Sequence, residues 1–126
     1  MTSVVLALIQ KGGRFFLQRR DPAAAVLAGR WEFPGGKVEA CETMAAALAR
    51  ELKEELSVSV LAARSLGPLA GDPLLQPFHV QIEGSPSTPL AWGWFTAEEM
   101  LRLPLPPRNL ELIARIQHGE IAADPH

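Results

Sequence analysis

Three glutamates at helical spacing constrain this chain more than any other feature. Glu51, Glu54 and Glu55 lie in the run Arg50-Glu51-Leu52-Lys53-Glu54-Glu55-Leu56, and on a helix positions i, i+3 and i+4 share one face. Like charges so placed repel by roughly 0.2–0.5 kcal/mol per pair, here near a helix end whose dipole disfavours anions. Stability alone does not select that pattern. A hard divalent cation, which takes oxygen ligands, turns the repulsion into a binding site. The competing explanation is a solvated acidic face, the ordinary fate of a Glu-rich helix surface.

What precedes the helix decides between them. Trp31-Glu32-Phe33-Pro34-Gly35-Gly36-Lys37-Val38-Glu39 is followed by Glu42 and the helical stretch Thr43 to Leu56. The fixed positions Gly36, Glu42, Arg50-Glu51, Glu54-Glu55 and apolar Val58 resemble the signature of the Nudix hydrolases. Glu-Phe-Pro-Gly-Gly-Lys followed by Val38-Glu39 resembles the MutT-type branch. The resemblance implies a Nudix-type α/β/α sandwich with a mixed sheet, and Mg²⁺ as cofactor, with Mn²⁺ as a substitute. It assigns the metal to Glu51, Glu54, Glu55 and a carbonyl of the glycine pair, placed at Gly36, and catalysis to Glu51 and Glu54, with Arg50 orienting the catalytic glutamate. On an ideal helix Arg50 points away from Glu51, and an i,i+4 pair with Glu54 is the alternative. Glu42 is either a support for the ligands or a charge favoured by the helix N-terminus. Ser57 departs from the family, which usually has Gly there. If that position needs positive φ, Ser is strained by roughly 1–2 kcal/mol.

Composition bounds the rest. A chain of 126 residues is expected to form one domain, 1–126, with a real core. A formal charge of −2 and a pI near 5.9 offer no diffuse attraction for nucleic acid polymer or anionic membrane. The one cysteine, Cys41, has no partner for an intrachain disulfide or a zinc site, so a reducing, cytoplasmic location is expected. The apolar start, Met1 to Ile9, has no basic flank and is too short to span a membrane.

Ser3 to Ile9, rich in Val and Ile, predicts a strand buried on both faces. Lys11-Gly12-Gly13 turns it into a second strand, Arg14 to Arg20. Asp21 to Arg30 is an irregular connection. Thr43 to Leu56 is the strongest helix, with Met44, Leu48, Leu52 and Leu56 as its apolar stripe. Val58 to Leu66 and Leu74 to Ile82 are further strands, separated by the Gly67-Pro68 and Gly71-Asp72-Pro73 turns, and Ala91 to Phe95 is another. Thr96-Ala97-Glu98-Glu99 has the form of a capping box and starts a short helix that Pro104-Leu105-Pro106-Pro107 stops. Leu110 to Gln117 is a final amphipathic helix ending near Gly119.

Hydrolysis of a phosphoanhydride needs charge neutralisation and an activated water, and a carboxylate cluster with its metal provides both. Gly35-Gly36 lets backbone approach metal or phosphate with no Cβ in the way. Arg20 and Lys37 are the cations for substrate phosphates, and only one of Arg19 and Arg20 can face the site because a strand alternates its sides. Phe33 and Phe78 are candidates to stack on a base, against the commoner role of core residues. Asn109, in Leu105-Pro106-Pro107-Arg108-Asn109, resembles the asparagine with which MutT-type enzymes read oxidised guanine, and its amide can donate and accept at once. Capping the last helix is its alternative.

The expected activity is a Mg²⁺-dependent nucleoside triphosphate diphosphohydrolase of the 8-oxo-dGTP type that sanitises the nucleotide pool, a DNA-repair role. The alternatives are a CTP or dCTP pyrophosphatase, another nucleoside-diphosphate-linked hydrolase, or a non-catalytic nucleotide sensor. Its partner is a small-molecule nucleotide, with no nucleic acid polymer and no membrane, and the chain is a monomer or homodimer. The stretch from Val58 to Trp94 is short for a MutT-type protein and lacks a clear acid in Ser85 to Ala91, which leaves the base less defined than the reaction.

Overall fold

The computed structural model describes residues 2–119. In chain order the elements are β1 (Ser3–Lys11), β2 (Arg14–Arg19), β3 (Trp31–Glu32), β4 (Gly35–Lys37), α1 (Met44–Leu56), β5 (Ser59–Ser65), β6 (Leu74–Glu83), β7 (Trp92–Phe95), α2 (Ala97–Met100) and α3 (Pro107–Gln117). The fold class is α/β, its seven strands paired in both parallel and antiparallel fashion. Contacts divide the described residues into two compact units, the first running to Ile9 and resuming over Pro34–Thr88, the second comprising Gln10–Phe33 and the described residues from Pro89 on.

In the first unit β1 is the central strand. It runs antiparallel to β4 through Val4↔Lys37, Val5↔Gly36 and Leu6↔Gly35, and parallel to β6 from Ser3↔Leu74 to Ile9↔Val80. β5 pairs antiparallel with β6, with a register shift between Val60 and Ala62. The continuous Val, Leu and Ile run fits a strand flanked on both edges and covered on both faces, and Val5 to Ile9 are buried. α1 packs on β4 and β5 through Ala47, Leu48, Leu52 and Leu56. Met44 is only half-buried, so Ala47 replaces it in the expected stripe. Thr43 caps α1, its hydroxyl accepting from Ala46 N–H at 3.1 Å. Ser57 ends the helix at φ 57°, ψ 36°, the left-handed conformation on which its predicted strain depends.

In the second unit β2 meets the end of β1 at Gln10↔Phe15 and Lys11↔Arg14, β3 at Gln18↔Glu32 and Arg19↔Trp31, and β7 from Phe15↔Phe95 to Gln18↔Trp92. Gly12, at φ 62°, supplies the hairpin turn. Phe16 stacks on Trp92 at 5.5 Å and meets Trp94 edge-on, while Trp31 packs edge-on against Phe95. The capping box at Thr96 and Glu99 is formed.

Two short strands were not foreseen. β3 and β4 lie in the segment read as loop, and their pairing is set by distant partners on β2 and β1 rather than by local propensity. α3 starts at Pro107, not Leu110. A proline at the first helical position needs no N–H and has a suitable φ, so the proline pair that ends one segment also begins the next helix.

Candidate active site

α1 and β4 carry the acidic site. Gly36 sits on β4 so close to α1 that a Cβ there would overlap the Glu51 carboxylate, and a Cβ on Gly35 would overlap the Val5 carbonyl. Both glycines are therefore required by close approach. Glu55 Oε2 accepts from Gly35 N–H at 3.2 Å, which ties α1 to the same strand.

Arg50 is the hub. Its Nε donates to Glu42 Oε2 at 2.7 Å and Nη2 to Glu42 Oε1 at 3.0 Å, a fork on one carboxylate. Nη1 donates to Glu51 Oε1 at 3.0 Å, and Nη2 also reaches the Lys37 carbonyl at 3.0 Å. Glu39 and Glu54 lie at 3.5 and 3.6 Å from Nη1. Although an ideal helix points Arg50 away from Glu51, four rotatable bonds carry the guanidinium back to it, the partner that the family resemblance implies, while Glu54 is approached only at 3.6 Å. Glu42 belongs to this network rather than acting only through the helix dipole. The Arg50 guanidinium, followed by the Glu39 N–H, lowers the Glu42 carboxyl to about 2. In turn Glu42, then Glu51, raise the Arg50 pKa above its ordinary value against desolvation. Glu39 and the Lys37 carbonyl are participants that sequence reasoning missed. They lie just past the glycine pair, in a segment whose folding onto α1 has no periodic signal.

The donor set suits a hard cation in kind: three carboxylates and backbone oxygens, with a cradle at Gly36 where a side chain would collide with Glu51. Among the described residues, however, no three acidic, His or Cys side chains are already gathered as a metal shell. Glu51 is turned to Arg50, Glu55 to Gly35 N–H, and the Glu54 side chain is 61% exposed. The residues fit a divalent ion by donor chemistry and placement, with their carboxylates held on protein partners.

The remaining candidates have partners or burial of their own. Lys37 has an exposed side chain and enters the network only by its carbonyl. Phe78 is buried in the first unit and Phe33, in the second, is 1% exposed, so both occupy core positions. Arg20 donates through Nη2 to both oxygens of Glu32, at 2.9 and 3.0 Å. Asn109 is 7% exposed, and its Oδ1 accepts from Phe33 N–H at 3.4 Å. It does not cap α3: the N-cap is Pro106, without a side-chain cap.

The family model of the NUDIX domain matches residues 1–116. The chain belongs to the Nudix family. It is a Nudix hydrolase of MutT-like type, and members of this family use divalent metal ions. The Escherichia coli CTP pyrophosphohydrolase is 33% identical over 123 residues, covering 90% of this chain and 89% of that protein. A Mycobacterium tuberculosis protein provisionally named 8-oxo-dGTP diphosphatase 2 is 40% identical over 113 residues, 79% of each. Among solved structures, the MutT Nudix hydrolase of Burkholderia pseudomallei superposes with a TM-score of 0.76 at 27% identity, covering 90% of this chain and 96% of that one. No described helix is long and apolar enough to cross a membrane.

Proposed function

We propose that this Nudix hydrolase is a Mg²⁺-dependent nucleoside triphosphate diphosphohydrolase, releasing pyrophosphate and a nucleoside monophosphate, with oxidised purine nucleotides of the 8-oxo-dGTP type as substrates. The observation that carries the reaction class is the Arg50 fork, which holds Glu51 against Gly36 on the face that also bears Glu54 and Glu55. Glu51, Glu54, Glu55 and the Gly36 backbone would hold the ion. When bound, Mg²⁺ supplies neutralisation of phosphate charge and a water of lowered pKa. Arg50 orients Glu51, and its second hand on Glu42 fixes the guanidinium so that orientation costs little at each turnover. Lys37 is the cation proposed for substrate phosphates, and Arg20 is proposed to bind the nucleotide. Asn109 is proposed to read the base, its amide offering a donor as well as an acceptor.

Support for a purine substrate comes from the likeness to the Mycobacterium tuberculosis protein. A CTP or dCTP pyrophosphatase is the second reading, favoured by the likeness to the Escherichia coli enzyme over nearly the whole chain. Residues 1–126 are proposed to act as one functional domain, in a reducing, cytoplasmic setting and without nucleic acid polymer as partner. Pyrophosphate release with Mg²⁺ over 8-oxo-dGTP, dGTP, CTP and dCTP decides among these. Preference for the first supports the sanitising role, preference for the cytidine nucleotides the alternative, and tight binding with no turnover a sensor.

A further inference from the structure

Among the described residues two buried side-chain atoms lack any hydrogen-bond partner, Gln18 Oε1 and Arg20 Nε. They belong to residues two positions apart in sequence. Gln18 lies near the end of β2, Arg20 just beyond it, and residues i and i+2 of a strand share a face. Gln18 is 4% exposed in a strand whose neighbours Phe15, Phe16 and Leu17 are all buried. An unpaired amide there is costly, and natural cores rarely keep one without a use. Its cross-strand neighbour on β3, Glu32, is already held by Arg20 Nη2. Its neighbour on β7, Trp92, is 41% exposed, one face of its ring on Phe16.

The two atoms have opposite needs. Gln18 Oε1 accepts and Arg20 Nε–H donates. In the orientation the structure gives the amide, a phosphate, which presents acceptors only, would satisfy Arg20 and leave Gln18 Oε1 unpaired. A nucleobase edge with a donor beside an acceptor satisfies both: the amino group and ring nitrogen of adenine or cytosine, or the carbonyl and N–H that oxidation creates on guanine. The N7/O6 edge of ordinary guanine offers two acceptors, whereas its O6/N1–H edge pairs an acceptor with a donor. We propose that Gln18, together with the free Nε of Arg20, is a specificity-determining residue that reads such a nucleobase edge. The inference rests on the proposed nucleotide hydrolase reading and adds a second base-reading position to Asn109.

Gln18→Leu and Gln18→Met remove the amide at similar volume, the second keeping the unbranched shape should the first not fold. The test measures kcat/KM for 8-oxo-dGTP, dGTP, CTP and ATP with Mg²⁺, alongside the melting temperature. Expected is a melting temperature equal to or above wild type, because an orphaned polar group is gone, with the ratio of best to worst nucleotide compressed at least about tenfold through loss on the best. Ratios within about twofold of wild type in a folded variant overturn the inference, whether or not the melting temperature falls, because an amide serving only a buried water would shift stability without touching base choice. A wild type that turns over none of the four overturns the hydrolase reading and this inference with it.

Discussion

The polar groups around Arg50 and those around Gln18 and Arg20 are satisfied to opposite degrees. Arg50 spends its donors on Glu42, Glu51 and the Lys37 carbonyl. At the end of β2, a buried amide oxygen and a buried guanidinium nitrogen go without partners. The difference teaches what each region is prepared for. A carboxylate proposed to present its oxygens to a cation is best held in place beforehand, so its support is complete in the protein alone. Groups that discriminate among bases gain their energy from being left unpaired when the wrong ligand binds, so they are satisfied by the ligand.

The largest expected effect lies on the acidic side. Glu54→Gln removes the charge of a proposed metal ligand, the most exposed of the trio, and turnover should fall at least about a hundredfold, roughly 2.7 kcal/mol of barrier. The fold should survive, since Glu54 makes only a 3.6 Å approach to Arg50. Chelation of the metal should remove activity outright. More than a tenth of wild-type turnover at saturating Mg²⁺, with an unchanged circular dichroism spectrum, would remove Glu54 from the ligand set.

Next comes the base side. Asn109→Ala should lower kcat/KM for the preferred nucleotide about ten- to a hundredfold, the roughly 1–3 kcal/mol cost of leaving base groups unpaired, while poor substrates scarcely change. Kinetics on 8-oxo-dGTP, dGTP and CTP check it. Unchanged ratios with a lower melting temperature would reduce Asn109 to a support for the Phe33 N–H.

The two regions also differ in how far the sequence announced them. Glu51, Glu54 and Glu55 share a helix, so their common face follows from periodicity alone, as do β1, β2 and the Thr96 capping box. The Arg50–Glu51 contact was legible only through the family resemblance, because ideal helix geometry fixes Cβ directions and not the end of a long side chain. The Gln18 and Arg20 cluster carried no signal beyond a candidate phosphate role for Arg20. Its character depends on Trp31–Glu32 becoming a strand beside β2 and on burial by distant aromatic residues. The same dependence hid β4, whose three residues are a strand only because β1 is there to pair with them.

Acid titration sharpens the contrast through Glu42. Its folded-state pKa is lowered to about 2 from an ordinary 4.5, first by the hydrogen bonds from Arg50. A depressed pKa means the folded state binds the proton less well than the unfolded one, so the contribution is fully present above about 4.5 and is lost as pH falls towards 2. Urea midpoints between neutral pH and pH 2 should therefore fall less steeply for Glu42→Gln than for wild type, from a lower starting value. Parallel curves would show that Arg50 does not hold Glu42 in solution.

The smallest effect tests whether the end of the acidic helix is strained for function or merely tolerated. Ser57 closes α1 at φ 57°, its N–H donating to the Lys53 carbonyl at 3.1 Å, and its exposed side chain makes no hydrogen bond among the described residues. A left-handed residue with a Cβ costs roughly 1–2 kcal/mol, and glycine removes that cost while adding back part of it as unfolded-chain entropy. Ser57→Gly should thus stabilise by at most about 1 kcal/mol, a rise of a few degrees in melting temperature. Turnover should stay as it is, because the backbone path leaving α1 is already the one glycine prefers. A lower melting temperature would mean that the serine hydroxyl stabilises the turn by more than its backbone strain costs. A stabilised variant with reduced kcat would instead mean that tightening the end of α1 shifts Glu54 and Glu55, and the acidic region would then no longer be the rigid partner in the comparison.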